Sequence, residues 1–338
     1  MKKGLIPVII MLALLSLFGC GNKASAFLVA TDYVKADGVT DVTDALQKLI
    51  DDNPNRTIYF PDGVYLISRP LVTPALPAHS VFLSLANYAV IKAADNWEGD
   101  ALVRIGGKDF YPGVIDNFIY DNGSNYGIEG GIFDGSNVAN GIAVDAGREI
   151  RICKVSIKHT VIGLHVRKDP RYGSSDSDFS DINIVGNDTP QSIGVLVEGF
   201  DNTFTNMRIA SINKGVVCLS GGNGFRNIHP LYIFHEGQDY ESSIGFVIDS
   251  DNNFLNYCYS DQFAVGFKLS AGIRSNITDS FAWWYRGDVP FQTAIVCDGP
   301  LESLINGFHV GFSPECPKVN TIIGGEGGNG RLDVLKVR

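Results

Sequence analysis

No stretch of the 338 residues is apolar for long enough to cross a bilayer as a helix, which takes about 20 residues; the longest candidate, near the N-terminus, runs for about a dozen. Metal-site spacing is also missing. The six cysteines and six histidines form no Cys-x-x-Cys or His/Cys pattern, so neither zinc nor dithiol chemistry is indicated, and no cofactor is expected. Positive charge is scarce, with 27 Lys and Arg against 37 Asp and Glu and a net charge of −10. That balance makes nucleic acid and an anionic membrane surface poor partners and mildly disfavours a polyanionic substrate, unless a local patch such as Arg167, Lys168 and Arg171 overrides it. Helical periodicity is nearly absent, and little resembles a linker between domains.

Processing accounts for the start of the chain. "MKKGLIPVIIMLALLSLFGC" places two lysines before the apolar run, the pattern of a signal peptide. "SLFGC", Ser16 to Cys20, resembles the lipobox of bacterial lipoproteins. The resemblance implies residues 1–19 as a lipoprotein signal peptide, diacylation of Cys20, residues 20–27 as a tether, and a cell-envelope location, periplasmic or surface-exposed, with the lipid as membrane contact. Removing Lys2 and Lys3 shifts the balance from −10 to −12. Of the remaining cysteines, Cys153, Cys218, Cys258 and Cys297 lie in apolar strand-like segments and read as small hydrophobes; with Cys316 the number is odd, which argues against a complete disulfide framework.

What the chain does contain is a repeat. Pairs ending in a small residue stand at Asn140-Gly141, Ile162-Gly163, Ile193-Gly194, Lys214-Gly215, Ile244-Gly245, Val265-Gly266 and Thr293-Ala294, spaced by 22, 31, 21, 30, 21 and 28 residues. A second row follows each: Ile152/Lys154, Phe179/Asp181, Phe204/Asn206, Phe225/Asn227, Phe254/Asn256, Ile277/Asp279 and Leu304/Asn306. Short alternating segments at such periods predict a parallel β-helix, one unit per coil. Period-two alternation sends Ile193, Val195 and Val197 inward with Leu164, Val216, Phe246, Phe267 and Ile295, and Leu196 outward. The second-row Asn and Asp suit a bend in the left-handed region. The outward row Ala143, His165, Leu196, Val217, Val247, Lys268 and Val296 is mostly apolar, which calls for the 167–178 loop to cover it or for a partner subunit. The open end of such a rod needs a cap, and "DVTDALQKLIDD" supplies a short helix with Asp41 or Thr43 as N-cap and Ala45, Leu46, Leu49 and Ile50 on one face.

Asp32 to Leu71, "DYVKADGVTDVTDALQKLIDDNPNRTIYFPDGVYLISRPL", resembles the N-terminal signature of the pectate-lyase-like superfamily, and "GGIFDGSN" at Gly130 to Asn137 is similar to its Gly-x-x-Asp-Gly turn. The resemblance implies an all-β, right-handed, single-stranded parallel β-helix over residues 28–338, with an N-terminal cap at about 32–71. It also implies lyases, hydrolases or phage tailspikes as relatives, the last suggesting a homotrimer. No catalytic set carries over, because Gly-His-Gly is absent and "DNT" at Asp201 runs into Phe204.

Chemistry is therefore sought where coils lengthen after the second strand, at residues 229–243 and 283–292, with Tyr259 to Gln262 between them. This ridge gathers Asp261, Asp239 and Asp288 as candidate acid-base carboxylates, and His235, Tyr240, Trp283, Trp284, Tyr285 and Arg286 as candidate substrate contacts. Aromatic faces with carboxylates suit a polysaccharide or oligosaccharide, and hydrolysis would use two carboxyls. A lyase would instead need a base, such as His235, Tyr240 or Arg286. His229, which precedes Pro230, reads as a turn residue. Hydrolase, lyase and binding-only glycan protein all remain open at this point.

Overall fold

In the computed structural model the described residues are 27–74, 79–108, 126–168, 173–235, 237, 239–289, 291–316 and 318–337. The leader, Cys20 and all of the expected tether except Phe27 lie outside them. The chain winds about 11 turns of a parallel β-solenoid matching a right-handed β-helix. Ten strands, from Leu71–Pro74 to Asn320–Gly325, stack as one face, face one. A 19-stranded sheet wraps the other two sides. In each coil the chain runs along face one, turns onto face two, bends at a single residue, and runs along face three before closing. The cap sequence already belongs to the winding: Arg56–Phe60 and Gly63–Ile67, either side of the turn at Pro61, lie in the same sheet as the later coils.

Packing explains the repeat. Gly194 and Gly215 are glycine because a Cβ at either would approach the carbonyl oxygen of the next coil's glycine at 2.6 and 2.4 Å, closer than any real contact. Val195, Val197, Leu164, Val216, Phe246, Phe267 and Ile295 are buried as their alternation requires, whereas Ile193 is half-buried. Identical side chains stack coil on coil: Phe179 on Phe204 at 5.0 Å, Phe204 on Phe225 at 4.9 Å, and Phe246 on Phe267 at 4.6 Å. Cys218, Cys258, Cys297 and Cys316 are buried free thiols, and Cys153 is partly buried.

Two coils correct the register read from the sequence. Leu255 and Ile305, rather than Phe254 and Leu304, continue the inward column from Phe225 and Ile277. Phe254 is 53% exposed and Leu304 is 38% exposed. Each pair offers two adjacent apolar residues, and the bend decides between them: the left-handed residue is Tyr257 or Gly307, one place later than Asn256 or Asn306. At the other five coils Lys154, Asp181, Asn206, Asn227 and Asp279 take the left-handed bend as expected.

A second polar column is internal and was not anticipated. At the turn from face one to face two, Asn202 N–H donates to Asn223 Oδ1 at 3.0 Å and Asn223 N–H to Asn253 Oδ1 at 3.0 Å. Asn253 N–H donates to Ser275 Oγ at 3.1 Å, and Ser275 N–H to Ser303 Oγ at 3.0 Å. Asn202, Asn223, Asn253 and Ser275 are all buried, so each missing acceptor would cost about 1–3 kcal/mol.

The helix Thr43–Asp52 covers the end with Leu46, Leu49 and Ile50, while Ala45 faces solvent. The N-cap position falls on Val42, which has no side-chain cap bond, rather than on Asp41 or Thr43; Asp41, one place earlier, accepts from Thr43 N–H through Oδ1 at 2.9 Å. On face one the outward strip is partly sealed: Ala143 is fully buried and Val217 nearly so, with Leu196, Val247 and Val296 half-buried. Of the 167–178 loop, residues 169–172 lie outside the described residues, and its first residue reaches the strip, where Arg167 Nε donates to His165 Nδ1 at 3.2 Å. Its root packs toward the face-one turn, where Ser174–Ser175 pairs with Gly147–Arg148 and Arg167 Nη1 donates to Asp145 Oδ1 at 2.9 Å.

Candidate functional site

Alternation along face three sorts its side chains cleanly. Met207, Ile209, Ile228, Ser260, Ala282, Trp284, Phe308 and Val310 point inward and are buried. Their neighbours point out. Because the coils are in register, Arg208 lies beside His229, Tyr259 beside Phe281, and Phe281 beside His309, one strand spacing of about 4.8 Å per step. Four coil steps thus line up a guanidinium, an imidazole, two aromatic rings and a second imidazole.

These residues line a cavity of about 500 Å³, completed by Asn227, Tyr257, Cys258, Asp279 and Ser280 at the bend edge. That volume falls within the range of small-ligand sites. His229 and Tyr259 stack with ring centroids 4.1 Å apart and planes 20° apart, and Tyr259 meets Phe281 at 5.0 Å. The Nε2 atom of His229 is buried and makes no hydrogen bond; the Asp261 Oδ2 is 3.6 Å away. Burial pushes the Tyr259 phenol well up from its ordinary pKa, and the Asp261 charge adds to the effect. Arg208 Nη1 donates to the backbone oxygen of Met207 at 3.1 Å, an anchor that leaves other guanidinium N–H groups available.

The residues singled out from the sequence divide between this site and the flank beyond it. Asp261 ends the strand Tyr259–Asp261, where its Oδ1 accepts from Gln262 Nε2 at 3.0 Å. Asp239 caps the short turn Tyr240–Ser242 by accepting from Ser242 N–H at 3.4 Å. Asp288 is paired with Arg286, whose Nε donates at 2.8 Å, and that hydrogen bond holds the Asp288 carboxyl below the usual range. Arg286 in turn sits 4.4 Å over the Phe234 ring. His235 Nε2 is 3.3 Å from Asp188 Oδ2. Tyr240 stacks on Phe234 at 5.2 Å with its phenol buried, which raises its pKa. Tyr285 is exposed. Trp283 faces outward and stacks on Phe281 at 6.1 Å.

Trp284 corrects the sequence reading. It is fully buried, and its Nε1 donates to the Phe263 carbonyl at 2.6 Å, so it is a core residue with no face for a ligand. Of two adjacent residues in a strand only one can face out, and here that residue is Trp283. His229, read from its Pro230 neighbour as a turn residue, instead lies within the strand Gly224–Leu231. The cavity spans the coils from Arg208 to His309 and opens on their bend side, and Asp261, which is not among its lining residues, acts on it through His229 and Tyr259.

Comparison with solved structures shows the same fold in proteins of distant sequence. An alginate lyase from Paenibacillus sp. str. FPU-7 is 13% identical, with 82% of this chain and 97% of that chain covered and a TM-score of 0.60. An endo-xylogalacturonan hydrolase from Aspergillus tubingensis is also 13% identical, with 92% and 93% covered and a TM-score of 0.61. The Streptococcus pneumoniae surface protein and adhesin PfbA is 12% identical, with 92% and 96% covered and a TM-score of 0.55. No curated protein sequence matches the chain. The family model described as rhamnogalacturonase A/epimerase, pectate lyase-like, matches residues 28–230, more than half of the sequence, and the chain belongs to that family.

Proposed function

We propose that the protein is an exported, lipid-anchored enzyme that cleaves an extracellular uronate-containing polysaccharide by β-elimination in the face-three cavity. The observation that carries this reading is the stacked His229–Tyr259 pair sharing one cavity with Arg208. β-Elimination asks for a cation to take up the charge of the uronate carboxylate, a base for the C5 proton, and an acid for the departing glycosidic oxygen. Arg208 serves as the cation, His229 as the base and Tyr259 as the acid. The Asp261 carboxylate, 3.6 Å from His229 Nε2 and so not hydrogen-bonded to it, favours the proton on that nitrogen through its charge, which leaves the lone pair on Nδ1. The C5–H electron pair becomes the C4=C5 double bond, the C4–O bond breaks with its electrons on oxygen, and the Tyr259 proton goes to that oxygen. The C5 proton remains on His229 until it is returned to the phenolate through solvent. The raised Tyr259 pKa keeps the phenol protonated at neutral pH, the form an acid needs.

Hydrolysis fits less well, since it uses two carboxyls flanking the scissile bond. Asp279 is the carboxylate lining the cavity, and it accepts from Asn256 Nδ2 at 3.4 Å, while Asp239 and Asp288 are engaged elsewhere. The similarity to an alginate lyase is in keeping with elimination, although at 13% identity it speaks only for the fold. Digestion of a glycan panel read by mass tests the proposal. Products that together retain the mass of the parent chain support elimination, and products that gain one water reject it.

The location belongs to the same proposal. Lys2, Lys3, the apolar run and "LFGC" support export and acylation at Cys20, on the periplasmic side or the cell surface. Metabolic labelling with an alkynyl fatty acid checks it, with label expected on wild type and lost in Cys20→Ser. A homotrimer packed through the face-one strip would be read from the solution mass.

A further inference from the structure

The bend between faces two and three is a column of residues with left-handed backbone: Lys154, Asp181, Asn206, Asn227, Tyr257, Asp279 and Gly307, with φ between 48° and 62°. Asn, Asp and Gly adopt that conformation readily, whereas a bulky aromatic side chain there is strained. The column also has its own hydrogen bonds. Asn227 Nδ2 donates to Asn206 Oδ1 at 2.9 Å, and Asn206 Nδ2 to Asp181 Oδ1 at 3.1 Å. At the next coil the amide stands one place earlier, where Asn256 Nδ2 donates to Thr278 Oγ1 at 3.1 Å and to Asp279 Oδ2 at 3.4 Å, and the left-handed position itself is given to Tyr257, which takes no part in these bonds. Its side chain gains little packing in return: Tyr257 is 66% exposed, and among the described residues no ring pairs with it. The side chain nevertheless lines the cavity, at the edge where Asn227 and Asp279 would otherwise leave a polar rim.

A residue that costs backbone strain, stays out of the bend's hydrogen bonds and leaves most of its side chain exposed is expected to be kept for something outside its own chain. We infer that Tyr257 is the sugar-stacking wall of the cavity and sets affinity for the pyranose ring held there. This inference rests on the glycan reading above. The Tyr259 and Phe281 rings already stack with neighbouring rings, so they form a floor. Tyr257 lines the same cavity with its ring unpaired and largely exposed, so it can meet the apolar C–H side of a sugar while the carboxylate of a uronate turns toward Arg208. Tyr257 touches substrate in this account but takes no part in proton transfer, so its loss raises KM and leaves kcat nearly unchanged.

The test uses Tyr257→Asn and Tyr257→Phe, with oligosaccharides of alginate and of polygalacturonate as probes in titration calorimetry and thermal melts. Tyr257→Asn restores a residue suited to the bend and is expected to melt at or above the wild-type temperature while binding roughly tenfold more weakly. Tyr257→Phe keeps the ring and should bind like wild type. Wild-type affinity in Tyr257→Asn overturns this inference while leaving the glycan reading in place. A lower melting temperature in Tyr257→Asn overturns it as well, because the tyrosine would then be stabilising the fold. If the wild-type protein binds none of the probes, the glycan reading and this inference fall together.

Discussion

His229 and Tyr259 lie face to face on adjacent coils, ring centroids 4.1 Å apart, with Asp261 Oδ2 3.6 Å from the His229 Nε2. Strand stacking fixes this arrangement. His229 and Tyr259 occupy matching outward positions because Leu231 and Asp261 are in register, and alternation then puts Tyr259 and Asp261 on the same side of their strand.

Asp261 acts through His229, which makes it a positioning residue. Asp261→Asn is expected to keep the fold and KM while lowering kcat by roughly 100-fold, as when a base loses the carboxylate that selects its tautomer. Kinetics on an oligouronide would show this, and an unchanged kcat would remove Asp261 from the site.

Phe267 and Lys268 separate the two sides of face one. Phe267 is fully buried between Phe246 and Phe308, so Phe267→Ala is expected to cost about 3–5 kcal/mol. Lys268 faces out and pairs with Asp298 at 3.2 Å; Lys268→Ala should cost no more than about 1 kcal/mol. Urea unfolding of both variants measures the difference.

Buried thiols predict how stability responds to alkali. Burial pushes Cys218 and Cys258 up to about 12 from the ordinary 9.0. The unfolded chain releases these protons near pH 9 and the folded chain holds them to about pH 12, so their contribution to stability is complete below 9 and is lost as pH rises toward 12. The urea midpoint should be insensitive to these groups below pH 9.0 and fall above it, less steeply in Cys218→Ala.

Much of the fold is legible in the chain because the solenoid repeats its signal. Gly194 and Gly215 recur where neighbouring coils touch, and Val195 and Phe267 alternate with outward neighbours, so each coil corroborates the next. Register fails at Phe254-Leu255 and Leu304-Ile305, where adjacent apolar residues leave alternation without a phase. Trp283 and Trp284 present the same ambiguity, which only the position of the core resolves. The candidate site was harder to read. Arg208, His229, Tyr259 and Phe281 come from four successive coils, and each is a lone outward residue in its own segment. Long loops drew attention to the neighbouring flank, where Asp239, Arg286 and Asp288 are engaged in capping and pairing. Aligning outward positions coil by coil, rather than weighing loop length, is the signal that would have found the column.

The proposed elimination depends above all on His229 taking the C5 proton of a uronate. Ultraviolet absorbance of the C4=C5 unsaturated uronate, followed with alginate and polygalacturonate for wild type and a folded His229→Ala variant, tests it most directly. A steady rise is expected on at least one polymer with wild type, and a loss of roughly 100-fold or more in His229→Ala. New reducing ends without the chromophore, or an equal rise in His229→Ala, would contradict it.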